Sequence, residues 1–369
     1  MTIAVNLTYL FSAANKELIN AQFLQLATDH SDHQFIFIVT DKNQYQTNIP
    51  KNITEVISHP RGNTVLLWKL WYNYTLPALI RRHQADVLIH TDGACSLRTK
   101  VKQYLFINEC YFIKSPVFSN KKQVGFLQKN GLSFLNKTSL IFTHTAFQKK
   151  SLITKYTVNE NKIEVIPLEI NSLFKPMDFA EKEMIKDSYS DGKEYFLFNG
   201  DIHPNYHLIN LLKAFSFFKK RQKSNMQLLI AARSVAVGNS FTESLKTYKF
   251  RNEIKLLFDL PETEIAKITA ASYASIFPAE TENFLQIILQ AQQCEVPLLL
   301  SNQASLKDAG GEAAFYFDGQ NFNDIADKMM LIFKDENGRS NLIKEARSIS
   351  NNYKETDSSG LLWELITTG

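Results

Sequence analysis

The stretch 275–302, SIFPAETENFLQIILQAQQCEVPLLLSN, places an acidic residue between a short apolar strand and a helical pattern. The helical pattern runs directly into a second apolar strand. Strand–helix–strand units pair in parallel, and ligands bind in the crevice outside the carboxyl ends of such strands. The sequence therefore predicts that Glu282 lies at the ligand-binding edge of an α/β sheet.

Apolar strand-like runs alternate with helical patterns along the rest of the chain, which is typical of parallel sheets. One set of strands covers residues 3–166, and a second begins at Tyr195–Asn199. Between the sets, residues 171–193 replace the apolar periodicity with proline, charge and turn residues. A chain of 369 residues exceeds one typical hydrophobic core. We therefore predict two doubly wound, Rossmann-like α/β domains that face each other across a cleft, with a hinge near Leu173.

Composition excludes several classes of protein. Lys+Arg 41 against Asp+Glu 37 gives a formal charge of +4, which is too mild to predict nucleic-acid binding. No apolar run approaches the roughly 20 residues of a membrane helix, and the amino terminus lacks the positive start of a signal peptide. We expect a cytoplasmic protein. Cys95, Cys110 and Cys294 have no C-x-x-C spacing, so we read them as reduced, mostly buried thiols.

Common catalytic motifs are missing from the sequence. It contains no P-loop, G-x-G-x-x-G or G-x-S-x-G, which disfavours a P-loop kinase, a dinucleotide dehydrogenase and a serine hydrolase. His90 and Asp92 have no second set of metal ligands at matching spacing, so we expect no metal.

Four motifs occur in a characteristic order: FLFNGDIHPNYHLINLLKAFSFFKK, QLLIAA, FPAETENF and QAQQCEVPLLLSNQASLKDAGGEAAFYFD. This order resembles the carboxyl half of retaining family 4 glycosyltransferases of the GT-B fold, over about residues 195–350. IAVNLTYLF, DVLIHTDG and KIEVIPLEINSLFKP extend the resemblance through the amino half. It implies an acceptor-side domain at 1–172, a nucleotide-sugar-binding domain at 173–350, and a segment at 351–369 that packs back on the first domain.

The resemblance also implies an activity. Such enzymes transfer a sugar from a nucleotide-sugar donor to an acceptor, here a glycan or a lipid-linked molecule, with retention of anomeric configuration. They need no metal and no further cofactor. Peripheral membrane association, at the inner face of the membrane, and a partner glycosyltransferase stay open as additional interactions.

The residues around the opening acid match the family's donor site in part. Glu282 matches a carboxylate that faces the donor sugar, and Gln290 stands where a second Glu holds the ribose hydroxyls. Gln offers one carbonyl acceptor and an amide donor in place of a carboxylate. Asn283, Phe284 and Leu285 stand where Gly-Phe-Gly normally admits the donor, and only the Phe is retained.

The diphosphate loop and the amino-terminal domain depart further from the family. Gly200 and His203 match the loop that follows the first strand of the donor domain, but Asn205 and Tyr206 stand where basic residues are expected. Positioned cations stabilise a leaving diphosphate, so their loss bears on activity. Asn108 stands where relatives carry a His near the reacting sugar, and the resemblance implies a catalytic role for it.

Structural alternatives stay open for these residues. Glu282 also suits a helix amino terminus, where a carboxylate interacts favourably with the dipole. His203 also suits a loop that enters a helix, and Asn108 also suits a turn. For the whole chain, the alternative is a catalytically silent GT-B protein that acts as a binding or partner subunit. We read the aromatic residues at 68, 71, 72 and 74 as core packing along a helical stripe.

Overall fold

The computed structural model describes residues 1–11, 16–41, 49–108, 121–203, 206–232, 240–279, 284–355 and 357–368. The chain forms two compact units. The amino-terminal unit comprises residues 1–169 and 356–369, and the carboxyl-terminal unit comprises residues 170–355. The prediction of two parallel-sheet, Rossmann-like domains is confirmed.

The amino-terminal unit is built on a parallel sheet of seven strands in the order β3-β2-β1-β4-β5-β6-β7. Its strands are β1 Thr2–Asn6, β2 Gln34–Val39, β3 Ile53–Ile57, β4 Val87–His90, β5 Lys102–Ile107, β6 Leu140–Thr143 and β7 Ile163–Val165. Most of β1, β2, β4, β5 and β6 is buried, as expected of parallel strands covered on both faces. The strand order reverses between β1 and β4, so this unit has its switch point there.

Helices cover both faces of this sheet. They are α1 Lys16–Asp29, α2 Val65–Leu70, α3 Leu76–Arg82, α4 Lys121–Lys137, α5 Ala146–Tyr156 and α14 Ser358–Thr368. A π-helical turn, Trp71–Thr75, joins α2 to α3. Pro77 has no N–H, and its ring crowds the carbonyl of the preceding turn, which explains why the helix widens there.

The aromatic stripe on this helical segment is mostly core, as predicted, with one exception. Trp68, Trp71 and Tyr72 are buried. The rings of Trp68 and Tyr72 pack against Phe11, Trp68 also packs against Phe126, and Trp71 packs against Tyr72. Tyr74 is half exposed. The prediction was wrong for Tyr74, which follows the exposed Leu66 and Leu70 at intervals of four residues and so shares their outward side of the segment.

The carboxyl-terminal unit contains a parallel sheet of six strands in the order β10-β9-β8-β11-β12-β13. The strands are β8 Tyr195–Asn199, β9 Gln227–Ala232, β10 Ile254–Phe258, β11 Ala274–Phe277, β12 Leu298–Ser301 and β13 Ala314–Phe317. Here the order reverses between β8 and β11. The strand that opens the 275–302 stretch is therefore one of the two strands at the switch point.

Eight helices belong to this unit in the part of the chain that the structure describes. They are α6 Phe179–Ser190, α7 Leu208–Gln222, α8 Ser240–Lys246, α9 Glu262–Ala270, α10 Leu285–Gln293, α11 Ala304–Gly310, α12 Phe322–Lys334 and α13 Glu336–Glu355. Helix α6 lies inside the stretch 171–193 that the sequence predicted to be irregular. Asp178 and Glu181 form a capping box at its start, which satisfies two backbone N–H groups and stabilises a helix of weak amphipathicity.

The last helix packs on the amino-terminal unit. The indole of Trp363 stacks on the His30 ring, with centroids 3.6 Å apart, and meets the His33 ring edge-on at 4.8 Å. Leu362 and Ile366 are buried in the core beside α1. The hydroxyl of Tyr104 donates a hydrogen bond of 3.1 Å to the carbonyl of Ile366.

Candidate nucleotide-sugar site

The switch point of the carboxyl-terminal unit lies between β8 and β11, and a helix follows each strand. Helix α7 begins at Leu208, shortly after β8, and α10 begins at Leu285, shortly after β11. Neither helix has a side-chain cap among the residues that the structure describes. A helix amino terminus carries a partial positive charge and backbone N–H groups, so two helices that begin near the carboxyl ends of β8 and β11 suit an anionic ligand.

Gly200 directly follows β8 and lies against an aromatic cluster. Its φ is +154°, and its N–H donates to the carbonyl of Ala231 over 3.0 Å. A Cβ at this position would lie 2.8 Å from the Phe284 ring and 3.1 Å from the Phe198 ring. Only glycine fits such an approach without movement of a buried ring, so the backbone at this edge carries no side chain that would cover it.

Tyr206 and Phe284 join the two sides of the switch point. Their rings pack edge to face with centroids 4.9 Å apart, and Phe277 at the end of β11 lies 5.3 Å from Phe284. Tyr206 is 9% exposed and lies six residues after Gly200 in the sequence. The resemblance led us to expect relatives with basic side chains at this position; in this chain the Tyr206 ring stands there and is buried.

His203 lies beside this cluster. Its imidazole is half-buried, 5.7 Å from the Tyr206 ring between centroids. Burial lowers the pKa of His203, and the Asp201 carboxylate opposes that shift. His207 precedes α7 with a left-handed backbone, φ +53°, which turns the chain into the helix.

The remaining predicted donor residues divide into two groups. Leu285 and Gln290 lie in α10 and are buried, so neither side chain stands out into solvent. Glu282, Asn283 and Asn205 lie outside the described residues. The structure thus brings Gly200, His203, Tyr206 and Phe284 together at one edge of the sheet, with Leu285 directly after Phe284 as the first residue of α10.

Sequence reasoning missed a polar cluster at the switch point of the amino-terminal unit. Asn6 ends β1, and Asp92 follows β4. The hydroxyl of Tyr72 donates a 2.7 Å hydrogen bond to Oδ2 of Asp92. Burial raises the pKa of Asp92 to about 7, although this bond and the amides of Ala94 and Leu10 lower it. The available signal was that polar residues directly follow two apolar strands.

Asn108 lies at the neighbouring strand end, after β5. Its Nδ2 donates to the carbonyl of Thr91 over 2.6 Å, and its Oδ1 is 3.0 Å from Nε2 of His144. The side chain of Gln148 donates to the Asn108 carbonyl over 2.9 Å. Burial lowers the pKa of His144 to about 4, against a hydrogen bond with the Ile166 carbonyl. The Asn108 amide is therefore buried and holds three neighbouring segments together.

Three further findings concern metal ligands, membrane-spanning helices and free thiols. Among the described residues, no group of three His, Cys, Asp or Glu side chains is placed to hold a metal ion. In the same part of the chain, no helix is both long and apolar enough to cross a membrane. Cys95 and Cys294 are buried free thiols, as the sequence predicted, and Cys110 lies outside the described ranges.

This arrangement has the features of GT-B proteins: two Rossmann-like units and, in the second, a glycine-containing strand end beside a helix amino terminus. Residues 180–349 match the family Glycosyl transferases group 1. This match lies within the carboxyl-terminal unit, and it confirms the recognition made from the motif order for that part of the chain.

Named relatives are distant in sequence. The chain is 22% identical to the O-antigen chain mannosyltransferase B of Escherichia coli over 254 residues. This alignment covers 69% of the chain and 65% of the relative. It is 22% identical over 183 residues to the O-antigen chain mannosyltransferase RfbU of Salmonella typhimurium, covering 48% of each. The chain thus spans less than two thirds of the length of these relatives.

Solved structures resemble the fold over its whole length. WaaG, a glycosyltransferase involved in lipopolysaccharide biosynthesis, has a TM-score of 0.75 at 13% identity, with full coverage of both chains. HepE of Anabaena, in complex with UDP and glucose, has a TM-score of 0.75 at 12% identity, again with full coverage of both. At these identities the likeness establishes the fold alone.

Proposed function

We propose that this protein is a glycosyltransferase that moves a hexose from a nucleotide-sugar donor to a polysaccharide or lipid-linked acceptor, with retention of anomeric configuration. The observation that carries the proposal is the edge of the carboxyl-terminal sheet between β8 and β11. It lies within a group 1 glycosyltransferase domain, where the backbone of Gly200, which carries no side chain, is followed by the amino terminus of α7.

Each part of that edge suits one part of a nucleotide sugar. The amino terminus of α7 offers free N–H groups for the diphosphate. Gly200 leaves room for the diphosphate to reach the backbone, and His203 supplies a ring nitrogen beside it. Since Tyr206 replaces a cation, the helix dipole and neutral donors must stabilise the leaving diphosphate here, with no metal or other cofactor in the proposal.

In the proposal, the segment after β11 and helix α10 bind the sugar and the nucleoside of the donor. We assign Glu282 to the donor sugar, where its carboxylate accepts hydroxyl hydrogen bonds, with Asn283 and Leu285 limiting the shape of the sugar pocket. Phe284 fixes the turn through its contact with Gly200. Gln290 is assigned to the ribose. Asn205 completes the diphosphate loop as a neutral donor.

The relatives guide the choice of donor and acceptor. Two of them are named as O-antigen chain mannosyltransferases, and one structural neighbour holds UDP and glucose. A nucleotide-linked mannose or glucose is therefore the first donor to try, and a saccharide chain is the first acceptor. These names also favour an active transferase over the catalytically silent alternative. Asn108 keeps its proposed role in catalysis, which the variants in the Discussion test.

Donor binding is measured most simply by calorimetry. We expect GDP-mannose or UDP-glucose to bind in the submillimolar range, with the free diphosphate binding as well. Glu282→Gln should weaken binding of the nucleotide sugar and leave binding of the free nucleotide unchanged, because only the sugar contacts that side chain in the proposal. Glu243→Gln, on the exposed surface of α8, is the control and should bind as the wild type does. No binding of any nucleotide or nucleotide sugar at millimolar concentration would contradict the proposal.

A further inference from the structure

The carboxyl-terminal unit has an open groove between α7, α8 and α12. The groove has a volume of about 410 Å³, and its apolar lining includes Leu212 and Phe217 of α7, Tyr248 after α8 and Phe322 at the start of α12. The hydroxyl of Tyr248 donates a 2.6 Å hydrogen bond to the Leu212 carbonyl, which fixes this ring against α7. The groove is therefore a preformed apolar site, large enough for an aromatic side chain and the residues beside it.

Cations line the rim of this groove. Lys213 and Lys220 lie on the same side of α7 as Phe217, because they are four and three residues away from it. Both lysines are exposed, and neither forms an ion pair within the described ranges. Residues 208–251, which include α7, α8 and the tyrosine after them, contain nine Lys and Arg and one Asp or Glu, whereas the whole chain has 41 and 37. The surface around the groove thus suits a partner that is both apolar and acidic.

The chain itself carries a segment of that chemistry at the start of α6. Phe179, the first residue of this helix, is 78% exposed, which is more than any other large apolar side chain in the described ranges. Residues 176–184 contain three carboxylates and one lysine. The capping box holds Asp178 and Glu181 in place beside Phe179. The phenylalanine ring therefore projects from an ordered, acidic helix end, and a partner that covered it would remove apolar surface from water.

The groove and this acidic helix end lie on opposite faces of the sheet. Strands β9 and β11 lie on opposite sides of β8. Right-handed connections therefore put α7, which leads from β8 to β9, and α9, which leads back from β10 to β11, on opposite faces. Helix α6 is on the α9 face, because the hydroxyl of Tyr189 donates a 2.8 Å hydrogen bond to the Glu264 carboxylate of α9. Phe179 therefore cannot reach the groove of its own copy.

We propose that the start of α6 in one copy of this chain docks in the groove between α7, α8 and α12 of a second copy. Phe179 enters the groove, and the carboxylates of Glu181 and Glu183 face the exposed lysines of α7. Because the two surfaces lie on opposite faces, the contact is head-to-tail, so it builds a ring or an open chain and not a two-fold dimer. One helix end in a groove buries little area, so we expect a dissociation constant of about 10–100 μM. The contact does not depend on the proposed transfer reaction.

Sedimentation of the full chain at a series of concentrations tests this contact. We expect the average mass of the wild type to rise with concentration above that of the monomer. Phe179→Ser removes the ring, and the double variant Lys213→Glu with Lys220→Glu reverses the charge of the rim. Each should weaken self-association roughly tenfold, as expected when an aromatic anchor or complementary charge is lost from an interface. All three positions are exposed, so both variants should melt at the temperature of the wild type.

A mixture of the two variants tests the head-to-tail geometry. Phe179→Ser keeps its groove, and Lys213→Glu with Lys220→Glu keeps its ring. An equimolar mixture should therefore form a pair with one copy of each variant and nothing larger, at a concentration where each variant alone stays monomeric.

Matched controls separate this contact from general surface charge and apolarity. Leu66→Ser removes an exposed apolar side chain on α2, and Lys69→Glu reverses an exposed charge on the same helix. Both should associate as the wild type does. A wild type that stays monomeric at millimolar concentration would overturn the proposal. So would variants of Phe179 or the two lysines that associate normally, equal losses in the controls, or a mixture that stays monomeric while the wild type assembles.

Discussion

The hydroxyl of Tyr72 donates a 2.7 Å hydrogen bond to Oδ2 of Asp92, and both side chains are buried at the switch point of the amino-terminal sheet. The two residues are twenty positions apart in the sequence, on a helix turn and a strand end. Burial raises the pKa of Asp92 from 3.8 to about 7. The pair therefore links the stability of this unit to pH.

Asp92→Asn should remove that link. Between about pH 4 and pH 7 the unfolded chain has lost the Asp92 proton while the folded chain keeps it, so rising pH favours unfolding. The free energy of unfolding of the variant minus that of the wild type should therefore increase by about 1.4 kcal/mol per pH unit between pH 5 and 7. Urea unfolding at a series of pH values measures it. Parallel profiles for the two proteins would exclude a raised pKa at Asp92.

Tyr72→Phe is the matched change at the other end of the bond. It removes the hydroxyl that lowers the pKa of Asp92 and leaves the carboxyl group in place. We expect the pH-dependent loss of stability to continue to higher pH than in the wild type. The same urea series measures the shift, and an unchanged window would mean that the hydrogen bond does not control this proton.

Gly200→Ala should damage the carboxyl-terminal unit and its ligand site together. The added Cβ would meet the Phe284 and Phe198 rings at 2.8 and 3.1 Å. Overpacking of this kind costs about 1–3 kcal/mol, and the displaced Phe284 would shift the turn after β11. We expect lower thermal stability and weaker nucleotide-sugar binding.

Gly125→Ala is the control for that substitution. Gly125 lies in α4 with nothing within 4 Å of an added Cβ. Alanine favours a helix over glycine by about 1 kcal/mol, so this variant should be slightly more stable and should bind donor normally. If both glycine variants behaved alike, the close approach of Gly200 and Phe284 would not matter for the site.

Asn108→Ala should destabilise the amino-terminal unit by about 1–3 kcal/mol, because it leaves the buried Thr91 carbonyl without its donor. Measuring turnover per folded molecule separates this loss of stability from a loss of catalytic activity. The predicted catalytic role requires a loss of turnover beyond the loss of folded protein at a temperature where the variant is folded. Normal turnover under those conditions would limit Asn108 to holding the strand ends together.

Trp363→Ala should loosen α14 from the amino-terminal unit. Loss of the stack on His30 and of the buried indole surface should raise amide hydrogen exchange in Ser358–Thr368. Trp363→Phe keeps an aromatic ring and should protect the helix nearly as well as the wild type. Equal exchange in wild type and Trp363→Ala would show that Leu362 and Ile366 alone hold the helix.

Local patterns were enough to predict much of the fold. Continuous apolar runs, such as those at 275–277 and 298–300, became buried parallel strands at or beside the switch point. Helix α6 was missed because its capping box, Asp178 with Glu181, stabilises a segment whose periodicity is weak. Tyr74 was misplaced because it was grouped with the buried aromatic residues, whereas its four-residue spacing from Leu66 and Leu70 puts it on their exposed side.

The site depends more on contacts between residues that are distant in the sequence. Gly200 could be marked from its place after a strand, but its need to be glycine comes from Phe284, which is 84 positions away. Tyr72 and Asp92 gave no signal as a pair, since only the packing of α2–α3 on β4 brings them together. Family resemblance supplied the roles of Glu282 and Gln290, and those roles stay predictions.

The most direct test of the proposed transfer is nucleotide release. Wild type, Glu282→Gln and the control Glu243→Gln are each incubated with GDP-mannose or UDP-glucose and an oligosaccharide acceptor, and the nucleoside diphosphate and the new glycoside are measured. We expect acceptor-dependent release by the wild type and the control, an α-linked product from an α-linked donor, and a loss of at least a hundredfold in Glu282→Gln, as is typical when a stabilising group is removed. Equal release by Glu282→Gln and the wild type, or a bound donor that is never turned over, would contradict the assignment of this protein as a glycosyltransferase acting through that edge of the sheet.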